Sequence, residues 1–166
     1  MSYFFNFEKI AYIKADKPEG CILCLVRSGS PKVRNLTIIQ NDLFNASLNL
    51  YPYNTGHAII FPVRHVSDIR QLSREEERMK DLLTAVLLDA IDSEYSPSGY
   101  NLGYNMGLDA GASIEHLHFH IIPRYPHELG IADLIAGKRV LIEDPQATLG
   151  RLQRAVADHP RSTLIT

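Results

Sequence analysis

The sequence predicts an α+β fold organised around an antiparallel sheet. Three observations carry that prediction. Short β-branched or alternating runs come in pairs joined by turn formers. A long amphipathic helical pattern separates one pair from the next. A second, shorter helical pattern follows near the C-terminus. Strands grouped as hairpins around helices favour antiparallel pairing over a parallel βαβ sheet.

Each element follows from its residues. Residues 1–20 read as a lead-in whose turn is made by Pro18 and Gly20. Residues 36–40 are rich in β-branched side chains. Residues 44–50 alternate, with Asn45, Ser47 and Asn49 on one face and Phe44, Ala46, Leu48 and Leu50 on the other. Residues 51–56 (YPYNTG) are dense in turn formers and lead into a strand at 57–62. Ser73 followed by Glu76 makes a capping box. Met79, Leu82, Leu83, Val86, Leu87, Ala90 and Ile91 then recur at helical spacing, a stripe for a core. Residues 96–99 (SPSG) end that helix. Residues 100–106 and 114–122 read as a strand pair around a small-residue loop at 107–113, with Pro123 closing the second strand. Asp144 as N-cap and Pro145 at the first helical position start a last helix, with Leu149, Leu152 and Val156 inward.

The composition bounds what this fold does. With 166 residues, one domain is expected, with a core that needs no disulfide staples. The charge is near balance, 17 basic against 19 acidic residues, which argues against a nucleic-acid binder. No apolar run approaches the ~18 residues of a membrane span. The N-terminal residues carry Glu8 and Lys9 and no apolar stretch like that of a signal peptide, so a cytoplasmic location is expected. Arg64 and Arg124, at strand edges, read as solvated charge. So do His127 and His159, and the helix face made by Arg74, Glu75, Glu77, Arg78, Lys80 and Asp81.

The chemistry is concentrated in histidines. His116, His118 and His120 form H-x-H-x-H on the expected strand, which puts all three on one face, with Leu117, Phe119 and Ile121 on the other. His116 and His120 would lie about 13 Å apart along a straight strand. Zn–N bonds are only about 2.0–2.1 Å, so one ion takes two of the three at most, and at least one imidazole is left for other work. The preceding loop offers Gly107, Gly111 and the backbone around Ser113, where main-chain N–H groups are able to cradle a phosphate. Cys21 and Cys24 form C-x-x-C. By itself this spacing is compatible with half a metal site, a redox pair or two small buried apolar residues.

The run GASIEHLHFHIIPR, residues 111–124, resembles the signature of the histidine triad (HIT) family of nucleotide hydrolases and transferases, whose motif His-φ-His-φ-His-φ-φ is HLHFHII here, φ being apolar. YPYNTGHAIIFPVRH, residues 51–65, resembles the family's nucleotide-binding hairpin. The resemblance covers residues 21–125, with 1–20 as lead-in and 126–166 as an extension of a single domain. It implies a five-stranded antiparallel sheet with two main helices, and a homodimer.

It also implies residue roles. His118 matches the nucleophile that carries the nucleotide; His116 precedes it, and His120 and His57 match contacts to the attacked phosphate. Asn49 matches a ribose contact. Asn105 and Ser113 match polar residues near the phosphate and leaving group, beside the Gly111 loop. Several members carry a structural zinc, and the matching positions are Cys21, Cys24, His65 and His116; no organic cofactor is implied. Ala112 stands where many members have Gln, so one phosphate-side contact is expected from backbone or not at all. His120 stands where the uridylyltransferase branch has Gln, which counts against that activity. The 110–112 loop (AGA) and the segment GKRVLIEDP, residues 137–145, resemble bacterial dinucleoside tetraphosphate phosphorylases or hydrolases. The alternatives are a nucleoside phosphoramidase and a nucleotide-binding regulatory protein without turnover.

Overall fold

A computed structural model describes residues 19–126 and 143–166. Most of the lead-in, His127 and the first part of the C-terminal extension lie outside these residues. The described elements run α1 (Ile22–Arg27), β1 (Thr37–Gln40), β2 (Phe44–Leu48), β3 (Ala58–Pro62), α2 (Arg74–Tyr95), β4 (Gly99–Tyr104), β5 (Phe119–Arg124) and α3 (Pro145–Ala157), with single 3-10 turns between some of them. The five strands form one sheet in the order β1-β2-β3-β5-β4, and every neighbouring pair is antiparallel. The expected fold class and strand number are therefore found.

Both helices start where the caps put them. The Ser73 side chain accepts from the Glu76 N–H, while the Glu76 carboxylate accepts from the Ser73 N–H. Asp144 accepts from the Gln146 N–H with Pro145 at the first turn. Both helices lay their apolar stripes on one sheet face. Leu83, Val86, Leu87, Ala90 and Ile91 of α2 and Leu149, Leu152 and Val156 of α3 meet Phe44, Ala46, Leu48, Ala58, Ile60 and Ile121 there. The opposite face carries a smaller cluster, Ile59 and Phe61 under Leu23 and Val26 of α1. Thus β2 and β3 are buried on both faces, and the polar face of β2 looks into the space beside α1.

Strand ends differ from the sequence expectation. The second strand of the last pair was expected over 114–122; β5 begins at Phe119 and runs to Arg124, past Pro123. The cause is pairing. The ladder between β3 and β5 ends at Ile60 opposite Phe119, and that between β4 and β5 ends at Tyr104 opposite Phe119. Upstream of Phe119 the backbone turns to another partner, the Leu117 N–H donating to the Val66 carbonyl (2.7 Å). Only His120 of the three histidines is therefore in the sheet. Helix α1 was not expected at all.

Three charged side chains also depart from the solvated reading. Arg64 makes a two-pronged pair with the buried Glu76 (2.6 and 2.7 Å) and also reaches the Gln71 carbonyl. The Lys80 side chain is 18% exposed and lies over the Phe119 ring. His159 bonds Asp89 at 3.0 Å with its side chain 11% exposed. Among the described residues no helix is long and apolar enough to cross a membrane.

Candidate active site

The histidines converge where β3 and β5 meet. His118 lies just before β5, and its Nδ1–H donates to the His116 carbonyl two residues back (2.8 Å). That bond fixes the tautomer and leaves the Nε2 lone pair unprotonated. His118 is buried apart from the edge that lines a cavity of about 260 Å³. Burial lowers its pKa, against the opposing pull of the carbonyl bond, so the ring is neutral near pH 7.

His57 and His120 form a second, linked pair. The Tyr53 N–H donates to His57 Nδ1 (3.1 Å), so the His57 proton is on Nε2. That Nε2–H donates to His120 Nδ1 (3.0 Å), which places the His120 proton on its own Nε2. The His118 and His120 rings stand edge to face at 4.8 Å. His57 is fully buried, and burial, then the neighbouring His120 and His118, push its pKa down to about 3.

The shift has a measurable consequence. Between pH 6.5 and 3 the unfolded chain protonates His57 and the folded chain does not, so stability falls as pH falls through that window and is fully present above it. The contribution is on the order of 5 kcal/mol. Urea midpoints measured from pH 7 to 4 should fall less steeply in His57→Gln than in the wild type; parallel slopes would refute the assignment.

The rest of the cavity divides into two ends. Asn105, Gly111 and Ser113 line it beside His118 and His120, and Asn49 lines it next to His57, its amide 3.3 Å from the ring. Gly107 and Gly111 hold φ of +86° and +85° on either side of the 3-10 turn Leu108–Ala110, angles that favour glycine. Ala112 is buried, so its side chain presents no polar group at this end. The other end is apolar, walled by Ile22, Leu23 and Val26 of α1 against Leu36 and Ile59.

Cys21, Cys24, His65 and His116 come together outside the cavity. One ligand atom from each lies within 4.8 Å of the others. His116 Nδ1 is 3.4 Å from Cys21 Sγ and 3.6 Å from Cys24 Sγ, and His65 Nδ1 is 3.6 Å from Cys24 Sγ. Zinc bond lengths of about 2.3 Å to sulfur and 2.0–2.1 Å to nitrogen give a tetrahedral S···N edge near 3.6 Å, so the residues fit that ion. His116 Nε2–H donates to the Pro62 carbonyl (3.0 Å), which turns an unprotonated Nδ1 toward the thiols. His116 thus has two faces, its ring on the thiols and its carbonyl on His118. Without a cation, burial and Cys21 push the Cys24 thiol up to about 11, so zinc binding there releases protons.

Asn49, Asn105, Gly111, Ser113, His118 and His120 line the cavity, and Cys21, Cys24, His65 and His116 form the cluster. Two expectations need correction: His57, expected at the attacked phosphate, is fully buried behind His120 and bonded to it, and Gly107 shapes the loop without lining the cavity. Sequence reasoning missed the α1 wall and Ser47. Leu23 and Val26, three apart beside C-x-x-C, were the only local trace of α1; the polar face of residues 44–50 was the trace of Ser47.

Comparison with known proteins shows what the chain as a whole is similar to. The family model described as HIT domain matches residues 30–127. The AP-4-A phosphorylase of Mycobacterium tuberculosis (strain CDC 1551 / Oshkosh) is 36% identical over 107 residues, 64% of this chain and 55% of that protein, so the match spans about half its length. The adenosine 5'-monophosphoramidase hnt1 of Schizosaccharomyces pombe is 32% identical over 113 residues, covering 68% of this chain and 80% of that protein. A zinc-bound histidine triad family protein from Mycobacterium smegmatis shares the fold, with a TM-score of 0.67 at 22% identity over 83% of this chain and 94% of that one.

Proposed function

Since this chain belongs to the HIT domain family, we propose that it is a nucleotide hydrolase or phosphorylase that cleaves dinucleoside polyphosphates, such as diadenosine tetraphosphate, at a nucleotide α-phosphate. One observation carries the reading: His118, tautomer-fixed by the His116 carbonyl, presents its bare Nε2 to a cavity of nucleotide size. The likeness to a protein named AP-4-A phosphorylase supports the substrate class.

The chemistry follows from the protons already placed. His118 Nε2 attacks the α-phosphorus, and the P–O bond to the leaving nucleotide breaks with its electron pair on the departing oxygen. A nucleotidyl phosphoramidate on His118 results, splitting one hard displacement into two. His57 holds the His120 proton on Nε2, where it is donated to a phosphoryl oxygen as charge builds. Backbone N–H groups around Gly111 and the Ser113 hydroxyl meet the others. Asn49 holds the ribose and Asn105 the leaving-group side. Water or inorganic phosphate then displaces the nucleotide and restores the free imidazole.

Cys21, Cys24, His65 and His116 hold a zinc ion in this reading. All four positions come from protein, so the ion is structural, tying α1 to the segments that carry His65 and His116. The chain acts as a single cytoplasmic domain, a homodimer by family resemblance, without an organic cofactor or nucleic acid.

Product analysis tests the proposal. Diadenosine tetraphosphate is incubated with and without inorganic phosphate. ADP with ATP appearing only with phosphate identifies a phosphorylase; AMP with ATP in water identifies a hydrolase. Neither pair appearing, with adenosine 5'-phosphoramidate cleaved instead, would favour the phosphoramidase reading that the fungal relative's name supports.

A further inference from the structure

Ser47 is a buried polar side chain at the apolar end of the cavity that the chemistry above does not use. Ser47 of β2 stands opposite Ile59 of β3, and Ile59 stands opposite His120 of β5. These three form one row across the sheet, so Ser47 lies about 9.5 Å, two strand spacings, from the phosphate end. A nucleotide whose phosphorus is at the histidines lays its base over Ser47 and Ile59.

Ser47 is buried and lines the cavity. Its hydroxyl donates its single hydrogen to the Leu48 carbonyl (3.1 Å), so what it offers the cavity is lone pairs. One pleat along the same face, Asn45 is fully buried outside the cavity lining, with its amide nitrogen donating to Thr37 Oγ1 (3.2 Å). At the buried wall of the cavity β2 therefore presents the Ser47 hydroxyl as an acceptor. The cations near the cavity, Lys32 and Arg34, are exposed at its rim and do not alter the balance at the buried face.

We infer that Ser47 selects the nucleobase, favouring a 6-aminopurine over a 6-oxopurine. The inference rests on the nucleotide reading above. An exocyclic amino group donates to Ser47 Oγ. A carbonyl in its place sets acceptor against acceptor in a site that excludes water, and both go unpaired.

Calorimetric titration of the intact protein with AMP, IMP and ribose 5-phosphate tests this. The wild type is expected to bind AMP about tenfold more tightly than IMP, and Ser47→Ala to bring the two within about twofold. Ribose 5-phosphate, which has no base, should bind both proteins alike and reports that the variant is folded. Equal affinities for AMP and IMP in the wild type would overturn the inference and leave the nucleotide reading intact. A tenfold preference that survives in Ser47→Ala would also overturn it. Binding of none of the three would sink the nucleotide reading itself.

Discussion

Replacing His118 with alanine should lower turnover of a dinucleoside tetraphosphate by about 10⁴-fold or more while leaving AMP bound nearly as well as in the wild type. The reason is the division of labour in the cavity. Asn49, Asn105, Ser113 and the apolar wall line it independently of the His118 ring, so binding survives. The lone pair on Nε2 is what starts the reaction, and no other unprotonated nitrogen takes its place: His120 carries its proton on the corresponding atom, and the His57 atom nearest to it is committed to His120. Two measurements check this. With substrate labelled at the α-phosphate and an alkaline quench, the wild type should retain label on the protein and His118→Ala should not. In His118→Gly, added imidazole should restore part of the turnover by occupying the vacated space. Label retained by the alanine variant, or turnover within tenfold of wild type, would remove His118 from the chemistry.

What the sequence disclosed follows the range of the forces involved. Caps are local, so Ser73 with Glu76 and Asp144 with Pro145 marked the starts of α2 and α3 correctly. Alternation along residues 44–50 identified two faces of β2, because period-two sidedness needs no knowledge of the neighbours. The start of β5 was misread because a strand ends where its partners leave it, and the end of pairing at Ile60 and Tyr104 is written in other segments. Helix α1 has six residues, too few to hold by propensity; it exists because Leu23 and Val26 pack on Ile59 and Phe61. The partners of Arg64 and His159 are 12 and 70 residues away and left no local mark. The cysteine and histidine cluster is the longest-range case among these, with Cys21 and His116 separated by 95 positions. C-x-x-C alone left three readings open, and family resemblance supplied the other two ligands that the fold brings together.

Removing the zinc proposed for that cluster should have the second large effect. Purified protein is expected to carry one zinc per chain, and chelation or Cys24→Ala should lower Tm by on the order of 10 °C. Cys21 is the N-cap of α1 and Cys24 lies in its first turn, so two of the four residues anchor a helix too short to persist alone. The other two sit just after β3 and just before β5. With the ion gone, α1 keeps its small apolar cluster with Ile59, Phe61, Val33 and Ile114. None of the four ligands lines the cavity, yet Ile22, Leu23 and Val26 do. AMP affinity should therefore fall together with Tm, and ribose 5-phosphate, which has no base to lay against that wall, should lose less. The difference separates a loosened helix from a general loss of fold, which would weaken both ligands equally. A metal-free preparation with full turnover and a Tm unmoved by chelator would show that α1 is held by packing alone.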